Sequence, residues 1–294
     1  MSEDINKDFD LKIINAIKDG KKTKSIGSGT YGDVSRITFE DGEVYVVKVP
    51  VKDISGVGLK QFQRESRILN YFVDQCYPYL LCFKRLIQDN NRLYLVTKNV
   101  AGMIEMFDAA DDIAVFNPSR QRILFTHLVD GLNKLHKLGV AHCDIKPENI
   151  LVNTGDSSIT YIDFGASCMD GKDEYVKCGN ICGTPEFAGP ELYTCARNFE
   201  DMKKLDIWAL GLVIWECVAS VKNSNLPKLY DTIDIHDVFN KLDWLDSVTE
   251  WWKWCFREHE TKLTLFNERG INIKALIAID PKSRSLENAL VPTQ

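Results

Sequence analysis

The chain has 294 residues, enough for one large domain or two modest ones, which excludes peptide hormones and disulfide-stapled miniproteins. Its 36 Lys and Arg against 42 Asp and Glu give a formal charge of −6, and a protein of that sign does not attract nucleic acids by its overall field. Hydrophobic residues at 45% and charged residues at 27% are typical of soluble globular proteins rather than disordered ones. A folded protein of enzyme size is predicted.

The nine cysteines are odd in number and show no framework of paired spacings, which favours reduced thiols in an intracellular compartment, cytoplasmic or nuclear. A metal site at Cys168, Cys178 and Cys182 is the alternative, although their spacing matches no common zinc pattern. Residues 1–10 are polar and acidic and predict no secretory signal. The longest apolar stretch, 208–219, is interrupted by Glu216, so neither a membrane span nor membrane binding is expected.

The first third of the chain predicts a helix and then a small antiparallel sheet. Apolar residues at helical spacing predict a short amphipathic helix over 8–18 that packs on the lobe after it. Residues 24–49 are β-branched and aromatic, and Asp41-Gly42 within them is a strong hairpin signal. Residues 59–72 are predicted to form a helix, and residues 92–97 a further strand.

The character of the chain changes at 98–103, which predicts a boundary between two lobes. Helical patterns dominate beyond it, as in residues 119–138, whose apolar stripe runs through Ile123, Leu124, Leu128, Leu132 and Leu135. We therefore expect a helical extension at 1–19, a sheet-rich lobe at 20–98 and a larger helical lobe at 99–290.

A glycine-rich segment matches the pattern GxGxxG, which is weak alone because Rossmann turns and other phosphate loops share it. It reads Gly27-Ser28-Gly29-Thr30-Tyr31-Gly32. Strand-like residues 33–39 follow it and the Lys-Ser/Thr of a Walker loop is missing, so the loop is predicted to join two strands. Glycines at these positions let main-chain N–H groups approach a polyphosphate closely.

Lys48 lies within the apolar strand 44–49, where an ammonium group is costly unless an anion accompanies it. A lysine at the edge of a sheet that extends its ammonium to water is the alternative. Glu65 follows 17 residues later on the predicted helix and can supply the countercharge, while the ammonium binds phosphate oxygens.

Two later segments place acids, a base and an amide beside apolar strands. They are His142-Cys143-Asp144-Ile145-Lys146-Pro147-Glu148-Asn149 and Asp163-Phe164-Gly165. Together with the glycine loop, Lys48, Glu65, Gly189-Pro190-Glu191, Asp206 and Arg284, they follow the order of the eukaryotic-type protein kinases. The chain resembles that family from about residue 26 to residue 284. The resemblance implies an α+β, two-lobed fold with a small antiparallel N-lobe sheet, one major N-lobe helix and a larger, mainly α C-lobe.

The resemblance also implies a role for each matching residue. Asp144 would accept or orient the proton of the substrate hydroxyl, Lys146 would steady the transferred phosphoryl group, and Thr184 would bond to both. Asn149 and Asp163 would hold Mg²⁺, and Lys48 with Glu65 would position the phosphates of ATP. Ile26, Val34, Val46 and Leu151 would enclose adenine, with Thr97 behind it and 98–100 as the hinge. The residues expected to bind ATP are Ile26, Gly27, Ser28, Gly29, Thr30, Tyr31, Gly32, Val34, Val46, Lys48, Thr97, Val100 and Leu151.

The segments 144–149 and 183–186 resemble the serine/threonine branch, because the alanine and arginine that tyrosine kinases favour in the catalytic loop are absent. Dual specificity stays open. A catalytically weak pseudokinase acting as a scaffold is the alternative, although such proteins usually lack one of Lys48, Asp144, Asn149 or Asp163. A small-molecule kinase of related fold would not need residues 184–191, which shape a peptide platform.

The usual phosphorylation switch of the activation segment, residues 163–191, departs from the family at two positions, one in the catalytic loop and one in the segment. Cys143 stands where regulated relatives carry an arginine that binds a phosphorylated segment, and Asn180 where the usual phosphorylated threonine falls. A thiol and an amide cannot form that charge-assisted pair. We therefore expect activity without phosphorylation of the activation segment. A neutral substitution at Cys143 is the alternative, and Ser167 or Tyr175 could serve a different switch.

Two surfaces suggest partners beyond ATP. Glu148 and Glu216 match positions that face an arginine of the peptide in some basophilic relatives, and Glu105 lies near a third such position. A protein substrate basic around its phosphorylation site is therefore expected; ordinary solvated glutamates are the alternative. Residues 244–256 are rich in tryptophan, and positions 244, 248, 251 and 255 share one helical face. Trp254 and Phe256 are predicted to point away from it, which suits a protein docking surface, although packing under a neighbouring loop is favoured.

Overall fold

A computed structural model describes residues 2–20, 23–29, 32–50, 56–73, 75–90, 92–171, 176–178, 183–191, 198–227 and 241–292. The chain divides into two compact units, one of residues 1–77 and 81–101, the other of residues 78–80 and 102–294. The predicted α+β class is confirmed, with an antiparallel sheet in the first unit and mainly helices in the second. Residues 78–80 join the second unit, which no sequence pattern had indicated.

Within the described residues, the first unit has two helices and a five-stranded antiparallel sheet of order β1-β2-β3-β5-β4. The helices are α1 (Ser2–Asp19) and α2 (Gly56–Asn70), and the strands are β1 (Thr23–Gly29), β2 (Gly32–Thr38), β3 (Val44–Val49), β4 (Phe83–Asp89) and β5 (Arg92–Lys98). The hairpin predicted at Asp41-Gly42 is present: Gly42 has φ +85°, and the Phe39 N–H donates to the Glu43 carbonyl at 2.9 Å. Strand β4 is not among the elements that the sequence pattern predicts.

Helix α1 packs on one face of this sheet, as the apolar spacing predicted. Ile13 and Ile14 are buried among the apolar side chains of β2, β3 and β5, including Val47. Full burial of each such side chain contributes about 1.5–3 kcal/mol. Three ion pairs border the contact, in which the nitrogen and oxygen atoms lie 2.6–2.7 Å apart: Lys12–Asp41, Lys18–Asp89 and Arg85–Asp10.

The second unit is built around two long helices. Its helices are α3 (Ala110–Ala114), α4 (Pro118–Lys137), α5 (Phe199–Ala219), α6 (Lys241–Glu258) and α7 (Thr264–Glu268). Its strands are β6 (Ile104–Glu105), β7 (Val140–Ala141), β8 (Ile150–Val152), β9 (Ile159–Tyr161) and β10 (Cys168–Met169), paired as β6-β8-β9 and β10-β7.

Helix α5 begins with a capping box between Asn198 and Asp201 and is buried almost all round. On α4 the predicted stripe is buried except for Ile123, which is 48% exposed, so that assignment was wrong.

Helix α6 is only partly as predicted. Val248, Trp251 and Cys255 are buried, as the shared face required, while the side chain of Trp244 lies outside the described residues. Phe256 was expected to point away but is buried, because it stacks on Trp252 with ring centroids 4.7 Å apart. Trp254 remains 40% exposed. Packing therefore accounts for most of the aromatic residues between 246 and 256.

The prediction that the cysteines are reduced is wrong for four of them. Disulfides join Cys76 to Cys82 and Cys168 to Cys178, and the second pairing arises because Met169 and Lys177 form a parallel bridge that places the two cysteines side by side. Among the described residues no cluster of His, Cys, Asp or Glu could hold a metal ion; Cys182 lies outside them. Of the helices in the described ranges, none combines the length and apolar character that a membrane crossing needs.

Candidate active site

The glycine-rich loop joins two strands of the first unit. Gly27, Ser28 and Gly29 on β1 pair with Val34, Asp33 and Gly32 on β2, so the loop precedes a strand and not the helix of a Rossmann turn. A Cβ atom on Gly32 would lie 2.8 Å from the Val49 carbonyl oxygen, which only glycine avoids. Thr30 and Tyr31, at the tip of the loop, lie outside the described residues.

Lys48 of β3 and Glu65 of α2 form the ion pair that the sequence suggested. The Lys48 Nζ atom lies 2.7 Å from Oε2 of Glu65, and the two side chains are 16% and 4% exposed. Removal of one partner from a buried pair leaves an uncompensated charge, at a cost of about 3–5 kcal/mol. The glutamate therefore fixes the position of the ammonium group.

The residues predicted to line the adenine pocket fall on one face of the sheet. Val34 is opposite Lys48, and Val46 is opposite Thr97, so these four side chains share a face by the alternation of strands. The other face carries the side chains that contact α1. The Thr97 hydroxyl donates to the Val46 carbonyl at 3.5 Å. Ile26 is 48% exposed, and Val100 follows β5, half-buried.

In the second unit, three predicted catalytic residues meet at one hydroxyl group. The Thr184 Oγ1 atom donates to Oδ1 of Asp144 at 2.7 Å and accepts from Nζ of Lys146 at 2.8 Å. Lys146 Nζ also lies 3.4 Å from Asp144 Oδ2. The Asp144 carboxylate and the Lys146 ammonium are thus held together by the Thr184 hydroxyl, which belongs to the activation segment.

A buried aspartate fixes the backbone just before Asp144. The two carboxylate oxygens of Asp206 each accept a backbone N–H, from His142 and from Cys143, both at 2.7 Å. His136 Nε2 lies 2.9 Å from Asp206 Oδ2. Cys143 has φ +64°, a conformation that a non-glycine residue adopts only where its surroundings impose it.

Asn149 and Asp163 have the chemistry of a magnesium site. The Asn149 amide nitrogen donates to the Asp144 carbonyl at 2.8 Å and to Asp144 Oδ2 at 2.9 Å, so these two bonds do not use its amide oxygen. Asp163, with φ +59°, accepts the Gly165 N–H at 3.2 Å. A carboxylate and an amide oxygen are hard ligands of the kind that Mg²⁺ prefers, so the residues fit the ion. Leu151 lies on β8, half-buried.

The end of the activation segment is joined to the late part of the chain by a buried ion pair. Arg284 Nη2 donates to Glu191 Oε2 at 2.7 Å, and the guanidinium lies 4.7 Å above the ring of Trp208. Gly189 contacts this pair closely, since a Cβ atom there would lie 2.7 Å from Glu191 Oε2. Ser167, suggested as a phosphorylation site, is fully buried and donates to the His142 carbonyl; Tyr175 and Asn180 lie outside the described residues.

Two of the acidic residues expected to bind a basic peptide line one pocket of the second unit, with a volume of about 440 Å³. Glu148 and Glu216 contribute carboxylates, and Met106 and Phe107 contribute apolar surface. Oε2 of Glu148 is buried and accepts no hydrogen bond within the described ranges. Burial, Asp108 and Glu148 together raise the pKa of the third residue, Glu105, above its ordinary value.

Comparison with known proteins gives a consistent result. A model of the protein kinase domain matches residues 21–285. The chain is 31% identical over 228 residues, 77% of its length, to the cAMP-dependent protein kinase catalytic subunit of Dictyostelium discoideum, covering 33% of that protein. It is 29% identical over 192 residues, 65% of its length, to the probable serine/threonine-protein kinase fhkC of the same organism, covering 32% of it. With the serine/threonine-protein kinase dkf-1 of Caenorhabditis elegans it shares 28% identity over 200 residues, 65% of the chain and 26% of that relative. The matches thus span a third or less of these relatives' own length.

Proposed function

The chain belongs to the protein kinase family, and from this membership we propose that it transfers the γ-phosphate of ATP to serine or threonine hydroxyl groups of proteins. One observation carries the proposal: the Asp144 carboxylate and the Lys146 ammonium converge on the Thr184 hydroxyl within 2.8 Å. An acid–base pair held beside a hydroxyl-binding position is the arrangement that phosphoryl transfer to an alcohol needs.

Each residue has a defined task in this reaction. Asp144 orients the incoming hydroxyl and takes up its proton, and Lys146 offsets the negative charge that builds up on the transferred group. Lys48, positioned by Glu65, binds phosphate oxygens of ATP in the first unit. Asn149 and Asp163 would hold Mg²⁺, which when bound would neutralise charge on the phosphates.

The experiment is a radiolabelled-ATP assay with mixed protein substrates, followed by phosphoamino-acid analysis. We expect Asp144→Asn to lower incorporation by about a hundredfold or more, while Asp130→Asn, a matched change at an exposed position of α4, leaves it unchanged. Equal incorporation by wild type and Asp144→Asn would refute the role of Asp144. Phosphotyrosine alone would refute the specificity, and a wild type without activity would favour the pseudokinase.

We further propose that the substrate is basic around its phosphorylated residue. The buried, unpartnered oxygen of Glu148 suits a guanidinium, because an arginine can supply its missing hydrogen bond while its stem lies on Phe107. Glu216 lines the same pocket and adds negative charge. A positional-scanning peptide library tests this. Glu148→Gln should raise KM for an arginine-containing peptide about tenfold, Glu200→Gln at an exposed site of α5 should not, and a library without preference for Arg or Lys would refute the proposal.

We also propose that activity does not require phosphorylation of the activation segment. The unmodified chain already forms the contacts of Thr184 with Asp144 and Lys146, and the Cys143 thiol offers no charge for a phosphate. Phosphatase treatment of the purified protein should leave activity unchanged, and loss of activity after that treatment would contradict this. An intracellular location is proposed because ATP is an intracellular metabolite.

A further inference from the structure

Three cysteine sulfur atoms lie together next to the catalytic loop of the second unit. Cys168 and Cys178 form a disulfide, and Sγ of Cys143 lies 3.7 Å from Sγ of Cys168. Apolar side chains of Ala141, Met202 and Leu205 pack around this cluster. Cys143 immediately precedes Asp144 in the chain, so any change at the three sulfur atoms occurs beside the residues proposed to carry out catalysis.

The disulfide joins a part of the activation segment that belongs to a β-ladder to a part that lies outside the named strands and helices. Cys168 lies on β10 and pairs with Ala141 of β7, so it belongs to the folded framework of the unit. Cys178 is half-buried and lies shortly before Thr184, and the backbone beside it forms the Met169–Lys177 bridge. The covalent bond is therefore the strongest described connection between the framework and the part of the segment that leads to Thr184.

Chain entropy gives the size of this constraint. The two cysteines are 10 residues apart, and closing a loop of that length favours the closed arrangement by on the order of a hundredfold over the open chain. Reduction of Cys168–Cys178 removes this preference for the closed loop. The disulfide Cys76–Cys82 of the first unit lies outside the activation segment and serves as the comparison. Disulfides in reducing compartments tend to be transient and redox-sensing, which fits the intracellular location proposed above.

We propose that Cys143, Cys168 and Cys178 form a thiol–disulfide switch of the activation segment. The Cys168–Cys178 disulfide keeps Thr184 aligned with Asp144 and Lys146, and its opening lowers the kinase activity. This inference deepens the proposed function and rests on it: it explains what positions the segment when no phosphate does.

Either of two reactions can open the Cys168–Cys178 disulfide. A dithiol reductant gives two electrons and two protons to the Cys168–Cys178 disulfide, which becomes two thiols while the dithiol becomes a disulfide; a low-molecular-weight disulfide reverses the reaction. Alternatively the Cys143 thiolate attacks Sγ of Cys168, the bond to Cys178 breaks, and Cys178 leaves as a thiolate that takes up the proton lost by Cys143. This exchange moves the disulfide to Cys143–Cys168 without net oxidation or reduction.

The test measures peptide phosphorylation by the full chain during titration with dithiothreitol and after reoxidation with glutathione disulfide. Peptide mass mapping follows each disulfide, and thermal unfolding is recorded in parallel. We expect activity to fall about tenfold or more as Cys168–Cys178 opens and to recover on reoxidation. The variant Cys178→Ser should show the low activity at every dithiothreitol concentration. The control variant Cys76→Ser/Cys82→Ser should respond like wild type, because its activation segment is unchanged.

Several outcomes would overturn the switch. Activity that changes less than about twofold while the map shows Cys168–Cys178 opened would refute it, as would a loss of activity that follows global unfolding of the reduced protein. At limiting dithiothreitol a Cys143–Cys168 disulfide should appear in wild type and be absent from Cys143→Ala; if wild type never forms it, Cys143 has no part. The oxidised protein is first shown to depend on Asp144, so a failure of the proposed function becomes visible before any reductant is added.

Discussion

Replacement of Thr184 by valine removes one oxygen atom while it keeps the shape of the side chain. That oxygen donates to Asp144 at 2.7 Å and accepts from Lys146 at 2.8 Å, so the variant loses both contacts at once. The two charged side chains would remain but would no longer be held by a common group. We expect their alignment, and not the binding of ATP, to suffer.

The magnitude follows from the burial of the two partners. A hydrogen bond to a charged group contributes about 1.5–3 kcal/mol when fully buried. The side chains of Lys146 and Asp144 are 23% and 17% exposed, so water replaces part of what the hydroxyl supplied. For the two bonds together we expect a loss of about 1.5–3 kcal/mol, which lowers kcat about 10- to 150-fold.

The assay is steady-state phosphorylation of a peptide, with kcat and KM for ATP determined separately. KM for ATP should stay within about twofold, because the Lys48–Glu65 pair is untouched. Thr184→Ser, which keeps the hydroxyl, is the matched control and should retain kcat within about threefold. If Thr184→Val retained kcat to the same extent as Thr184→Ser, the bridging role of the hydroxyl would be refuted.

Three further predictions concern stability and pH. Gly189→Ala should lower the free energy of unfolding by about 1–3 kcal/mol, because the new methyl group displaces the Glu191 carboxylate; unchanged urea denaturation would contradict this. Asp206→Asn should cost about 1–3 kcal/mol by leaving a buried backbone N–H without its acceptor and should lower kcat; a urea midpoint equal to wild type would argue against it. Because the pKa of Glu105 is raised, it stays neutral to a higher pH than an ordinary glutamate. KM for a basic peptide should therefore fall as pH rises through that pKa, whereas KM for a neutral peptide should not change. The same dependence of KM on pH for both peptides would refute a role for Glu105.

Much of the first unit could be predicted because the relevant signals are local. Alternation along 44–49 places Lys48 on one face of a strand and Val47 on the other, and the Asp41-Gly42 pair marks the hairpin. The ion pair with Glu65 could be inferred because a buried ammonium needs an anion and the next helix offers one. The polar residues of the catalytic loop could be singled out for the same reason, since acids and amides between buried strands need partners that compensate their burial.

Contacts that depend on how separate segments meet in the fold could not be predicted from spacing. The Cys168–Cys178 disulfide depends on how the activation segment returns to β10, which no pattern of cysteines reveals. Ile123 continues the apolar period of α4 yet is exposed, and Phe256 breaks the period of α6 yet is buried beside Trp215 of α5, with ring centroids 6.1 Å apart. In both cases the neighbouring elements, and not the helix's own sequence, decide which side chains are covered.

Helix α1 has a practical consequence for anyone who trims this protein to its catalytic part. The kinase-domain match begins at residue 21, just after α1 ends at Asp19, so a fragment cut at that border would lack the helix altogether. The apolar surface that Ile13 and Ile14 cover, which includes Val47 and Tyr94, would then be exposed to water and prone to association. Such a fragment should aggregate on purification, and low yields from it would say nothing about the activity proposed for the full chain.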